Sequence, residues 1–215
     1  MSFVKIERHG RIAIVRFDRQ DRANALSIAA CRALTDAARS FENDPDVCAV
    51  ILTGTATNFS NGADLKDPER LDPQTSRLSE RRLQLQTGGK LCRAWEEIEA
   101  ITIAAVEGWC VGGGAALVAA CDLRVAAENS HFYVPEIERG MNLQWGAVPR
   151  ITHLVGPARA KRIAILSEKL PAARALDWGF VDELAAPGKS VEVAMALAER
   201  CASMPPVQVR MIKQA

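Results

Sequence analysis

An excess of charge of one sign is missing from this sequence. Its 215 residues carry 27 Lys and Arg against 26 Asp and Glu, a net charge of +1. That excludes a whole-chain basic footprint of the kind that binds nucleic acid. Long hydrophobic runs are missing too. The longest uncharged stretch, from Gly108 to Cys121, has 14 residues, four of them glycine, short of the ~20 apolar residues that span a bilayer. The first residues, Met1-Ser2-Phe3-Val4-Lys5-Ile6-Glu7, hold no apolar segment of secretory type and carry acid early, so neither a signal nor a transit peptide is expected. Six cysteines (Cys31, Cys48, Cys92, Cys110, Cys121, Cys201) include no CxxC pair, and His9, His131 and His153 lie far apart. No metal site is expected; buried free thiols in a reducing, cytoplasmic setting are the simpler reading. Solenoid repeats and low-complexity tracts are absent.

What is present is an ordinary globular composition, 48% hydrophobic and 25% charged, in a chain long enough to bury about 70% of its surface. Strand-like and helix-like segments alternate. Residues 4–8 and 12–17 read as strands around the turn His9-Gly10-Arg11. Residues 27–42 read as a helix, with Ile28, Cys31, Leu34, Ala38 and Phe41 at spacings of three and four. The apolar run 49–53 predicts a buried strand, and 58–72 predicts a loop. Leu91, Trp95 and Ile98 mark a helix face ending before Ile101. Strands are expected at 103–106, 123–126, 130–134 and 180–184. Helices are expected from Gly112 and over 158–166, 172–178 and 191–203. This alternation is the signature of an α/β fold.

Three segments could carry chemistry. In Val106-Glu107-Gly108-Trp109-Cys110-Val111-Gly112-Gly113-Gly114-Ala115-Ala116 a strand runs through a turn and three glycines into a helix of small residues. Glycine lets a ligand approach the backbone, and the outward N–H groups of a helix start suit an anion or a developing oxyanion. A dinucleotide fingerprint fails here, because Leu117 stands where its third glycine belongs. A tight helix–sheet contact is the alternative. The second segment, Phe59-Ser60-Asn61-Gly62-Ala63-Asp64-Leu65-Lys66, reads alone as a surface turn. Paired with the triple glycine it offers a second backbone N–H to the same oxygen. In the third, Tyr133-Val134-Pro135-Glu136-Ile137-Glu138-Arg139-Gly140, Glu136 lies between apolar neighbours that would raise its pKa. That makes it a candidate acid/base, against the alternative of a solvated loop glutamate, with Glu138 the decoy.

In this order and spacing the three segments resemble the crotonase superfamily, the enoyl-CoA hydratase/isomerase family. The resemblance begins at Arg22-Ala23-Asn24-Ala25-Leu26 and continues through Asn61–Lys66, Gly112–Gly114 and Pro135–Ile137. It extends to Val155-Gly156-Pro157-Ala158-Arg159-Ala160 and Ala175-Leu176-Asp177-Trp178-Gly179-Phe180-Val181. It implies a spiral of stacked ββα units over residues 1–190, with 191–215 the start of a C-terminal helical region that is short or missing. It implies an enzyme acting on an acyl-CoA thioester, with no cofactor beyond the coenzyme A of the substrate, and no nucleic-acid or membrane partner. Assembly would be a homotrimer or hexamer if the C-terminus is complete.

The resemblance also implies site residues. The amides of Ala63 and Gly113 would form an oxyanion hole, and Glu136 would be the acid/base. Asn24, Ala25, Leu26, Ala63, Asp64, Leu65, Lys66, Gly112 and Gly113 would line the CoA site. Family hydratases carry two glutamates; one matches Glu136, and the other falls on Ala116. Adding water across a double bond uses two such groups, whereas moving a proton between two carbons uses one. Isomerisation of an enoyl-CoA is therefore the first expectation, a one-glutamate hydratase or hydratase-lyase the second, and a CoA-binding scaffold without chemistry the alternative of another class. Gln144 stands near the position where some members place a third acid; it and Trp145 either face the acyl group or pack in the core. Against the family the chain looks short at its C-terminus, where residues 204–215 read as a helix just begun.

Overall fold

A computed structural model describes residues 3–21 and 23–215. Arg22, the first residue of the segment expected to lead into the CoA site, and Met1 and Ser2 of the N-terminal segment lie outside them. Two antiparallel strands open the chain, β1 (Val4–His9) and β2 (Ile12–Phe17), followed by helix α1 (Ile28–Arg39). The next strands are β3 (Ala49–Thr53) and the short β4 (Asn58–Ser60). Helices α2 (Leu78–Leu85) and α3 (Thr87–Glu96) lead to β5 (Ile101–Val106), β6 (Trp109–Val111) and α4 (Gly113–Val118). Strands β7 (Leu123–Ala127) and β8 (His131–Tyr133) are followed by a 3-10 turn (Ile137–Arg139), α5 (Ala147–Val155) and α6 (Pro157–Ala164). The chain continues through β9 (Leu170–Pro171), α7 (Ala172–Asp177), β10 (Glu183–Ala185), α8 (Ser190–Ala202) and α9 (Pro206–Gln214).

Six strands form one sheet in the order β1-β2-β3-β5-β7-β10, and four form a second in the order β4-β6-β8-β9. Each of the pairs β3/β4, β5/β6 and β7/β8 places its first strand in the large sheet and its second in the small one. All neighbours among β2, β3, β5, β7 and β10, and among β4, β6 and β8, are parallel. The chain therefore advances by one strand in both sheets per turn, with helices closing each turn: a spiral of stacked ββα units.

Strands β2, β3 and β5 of the large sheet are buried on both faces, which is why they read as nearly continuous apolar runs, whereas the edge strand β1 is largely exposed. Val15, Val50, Leu52, Ala104 and Val106 face the inner core with Leu34, Trp95 and Leu117. The alternate residues Ile14, Ile51, Ile103 and Val125 face outward, where Ala194 and Ala198 of α8 cover them. Residues 190 and 191, at the expected change of region, are the first two of α8. Helix α9 leaves Val207, Met211 and Ile212 exposed.

Two expectations need correction. The apolar residues Phe180 and Val181 are buried but unpaired; their amides bond back to the Ala175 carbonyl, and the strand begins only at Glu183. Residues 58–60, expected as loop, pair with β6. Asn24, expected in the CoA site, is wholly buried: its Nδ2 donates to the carbonyls of Phe17 (3.2 Å) and Phe59 (2.8 Å), and its Oδ1 accepts from the Arg19 amide (3.1 Å). It holds the loop before α1 to the end of β2 and to β4. Its φ of +42° is one that asparagine tolerates better than most residues. Asn24→Ala strands those three groups and is expected to cost about 2–4 kcal/mol, read as a lower denaturant midpoint at unchanged slope.

Candidate functional site

A cavity of about 380 Å³ opens where the ends of several turns of the spiral meet. Leu26, Ala63, Asp64, Leu65, Gly113, Ala116 and Glu136 are in its wall. Sequence-distant segments of the proposed constellation therefore converge on one space. Ala25, Lys66 and Gly112 do not line the cavity directly. Lys66 is exposed beside the loop, and Gly112 lies behind the Glu136 carboxylate.

The approach of the two loops explains their glycines. Leu26 bridges Ala63 in parallel fashion: the Leu26 amide donates to the Gly62 carbonyl (2.7 Å), and the Asp64 amide donates to the Leu26 carbonyl (3.0 Å). In that pattern the N–H of Ala63 itself points away from Leu26. Gly62 has φ +84°, and a Cβ there would lie 2.6 Å from the Val111 carbonyl oxygen and 3.2 Å from the Gly113 nitrogen. So the first loop lies directly against the second. Gly113 opens α4, where an amide has no intrahelical acceptor. Neither the Ala63 nor the Gly113 amide has an acceptor among the described residues.

Three carboxylates line the cavity, in different states. Asp64 is gripped by the Arg19 guanidinium (Oδ2 to Nη1 2.7 Å), which holds its carboxyl below the usual range. The same Arg19 nitrogen donates to the Ala25 carbonyl (3.0 Å), tying the two loops together. Asp67 is buried and accepts from the amides of Ile28 (2.5 Å) and Glu69 (2.9 Å), capping α1 from a distance. Glu136 differs. Its Oε2 is buried with no partner among the described residues, and burial pushes its pKa up against the opposing pull of its own backbone amide and Arg139. It is the cavity carboxylate not tied up by the protein. Glu138 points elsewhere, exposed and accepting the Tyr133 hydroxyl (2.6 Å). The only cysteine in the wall, Cys31, is raised to about 12 by burial and stays a thiol.

A family model for enoyl-CoA hydratase/isomerase matches residues 7–215. The chain belongs to the enoyl-CoA hydratase/isomerase family. Among its relatives, a short-chain-enoyl-CoA hydratase of Clostridium acetobutylicum is 32% identical over the whole of this chain and 81% of its own length. A crotonyl-CoA hydratase of Syntrophomonas wolfei is 31% identical over 98% of this chain and 79% of its own. In three dimensions the chain superimposes on Pseudomonas aeruginosa DspI with a TM-score of 0.91 at 28% identity, covering 99% of this chain and 79% of that one. A crystal structure of enoyl-CoA hydratase from Bacillus anthracis gives 0.90 at 27%, covering 99% and 81%. This family member is thus an enzyme of the lyase/isomerase type with the crotonase fold.

Sequence reasoning missed Arg19 and Asp67, which organise the loops around the cavity. Asp67 follows the matched segment by one residue but caps a helix that begins 39 residues earlier. No local pattern announces that bond. Among the described residues no three His, Cys, Asp or Glu side chains gather in metal-binding fashion, and no helix is long and apolar enough to cross a membrane.

Proposed function

We propose that this enzyme moves a double bond within an enoyl-CoA thioester, using Glu136 to carry the proton. The thioester oxygen sits between the amides of Ala63 and Gly113. The Glu136 carboxylate takes a proton from C2 of a 3-enoyl-CoA, and the electron pair moves onto the thioester oxygen, giving a dienolate. Protonated Glu136 returns the proton at C4, and the double bond settles between C2 and C3. Two preorganised amides aimed at the developing charge contribute about 3 kcal/mol each by analogy with other oxyanion holes. Coenzyme A is part of the substrate, and no separate cofactor enters the scheme. Arg70 in the cavity wall and exposed Lys66 suit its phosphates.

The observation that carries this reading is the unpartnered, buried Oε2 of Glu136, in a cavity whose wall has Ala116 at the position where the resemblance puts the family's second glutamate. Hydration with Glu136 alone is the second reading, favoured by relatives that are named as hydratases. Incubating 2- and 3-enoyl-CoA isomers with the enzyme in deuterated water separates the readings. Isomerisation gives interconversion with deuterium at C2 and C4. A 3-hydroxyacyl-CoA as the main product would replace it with hydration. Binding without exchange or turnover would mark a scaffold.

A further inference from the structure

Trp145 stands in an unusual place. A Cβ on Gly113 would fall into the six-membered ring of its indole, and a Cβ on Gly88 would fall into the fused edge. Two glycines on separate helices, α3 and α4, thus form a slot that the indole fills. The ring packs on the inner core from one side and lines the cavity beside Ala116 and Glu136 on the other. The backbone under it is strained: Trp145 has φ +59°, a region that bulky residues avoid. Arg150 holds it there. Its Nη1 donates to the carbonyls of Trp145 (2.9 Å) and Gly146 (3.1 Å), while its Nε and Nη2 grip both oxygens of Glu96 (2.8 and 2.6 Å). Strain maintained by a dedicated ion pair, at a ring that adjoins the Gly113 amide, marks a position held for its effect on the cavity.

We infer that Trp145 is the acyl-length selector of this enzyme: its indole stops the acyl pocket just beyond the thioester, so that short acyl groups fit and longer ones do not. The inference rests on the acyl-CoA reading above. Its test uses saturated acyl-CoA thioesters, which bind without reacting, from acetyl to octanoyl, measured by calorimetry on the full chain. Wild type is expected to gain affinity up to a short chain and then stop or lose it. Trp145→Gly removes the ring at a φ that glycine adopts freely. In that variant affinity continues to rise about threefold to fourfold for each added methylene. Trp145→Phe keeps a ring at the site and serves if the glycine variant folds poorly; its limit is expected to move by one or two carbons. The same length profile in wild type and whichever variant folds overturns the selector. Failure of every acyl-CoA to bind wild type overturns the acyl-CoA reading, and the selector with it.

Discussion

Glu136→Gln is expected to lower turnover by about 10²–10⁴-fold while leaving acyl-CoA affinity within a few-fold, because general acid–base groups contribute about that much and no second free carboxylate lines the cavity among the described residues. Glutamine keeps the shape and removes the proton carrier. The same substitution has a second signature. The glutamate's pKa is raised above its ordinary 4.5 by burial, so the folded protein holds the proton more tightly than the unfolded chain does. Well below that ordinary value both states are protonated and the carboxyl costs nothing. As pH rises through the raised value, the folded state must give up the proton against burial, and stability falls. Glutamine never ionises. The variant is therefore expected to melt higher than wild type at neutral pH, with the gap closing on acidification below the ordinary glutamate range. Thermal melts across about pH 4 to 8 read this out, within the acid limit of the fold itself. An inactive variant with no such gap would mean that Glu136 is solvated and ionised without penalty.

Gly62→Ala is expected to damage fold and chemistry together. The added methyl meets backbone at 2.6 Å from the Val111 oxygen and 3.2 Å from the Gly113 nitrogen, on a φ of +84°. Backbone cannot swing aside as a side-chain tip does, so the two loops must separate. The expected cost is about 2–4 kcal/mol of stability. A fall in turnover of about 10² or more should accompany it, since one amide leaves its place. Gly10→Ala is the control. It has φ +58° with nothing within 4 Å, in the β1–β2 turn. It carries the conformational strain alone, about 1 kcal/mol, and should keep full activity. Equal effects of the two substitutions on turnover would show that the loop contact is unimportant.

The parts of this molecule that the sequence announces are those whose cause is local. Inner strands of the large sheet such as β3 are nearly apolar because both their faces are covered, and the run 49–53 shows it. Gly113, the middle of the three glycines, and Glu136 sit in recognisable segments, and the structure brings both to one cavity with Ala63. Other parts have distant causes. Helix α2 buries none of its residues, so no apolar stripe marks it. Helix α5 contains Pro149, which reads as a breaker, yet it stands in the first turn, where no amide hydrogen bond is lost. The side chain of Asn24 bonds to the carbonyls of Phe17 and Phe59 and to the Arg19 amide, partners that no local pattern in its segment announces. The slot for Trp145 needs Gly88, whose spacing from it in sequence follows no local rule.

On the proposed mechanism the amides of Ala63 and Gly113 receive a thioester enolate. Acetoacetyl-CoA reports on it directly, because its enolate has a near-ultraviolet band that the neutral form lacks. Titration into the wild-type protein is expected to raise that band to saturation at one ligand per chain, and Gly62→Ala is expected to weaken it. Saturable binding of acetoacetyl-CoA to wild type with no change in the band would mean that the two amides do not hold an enolate.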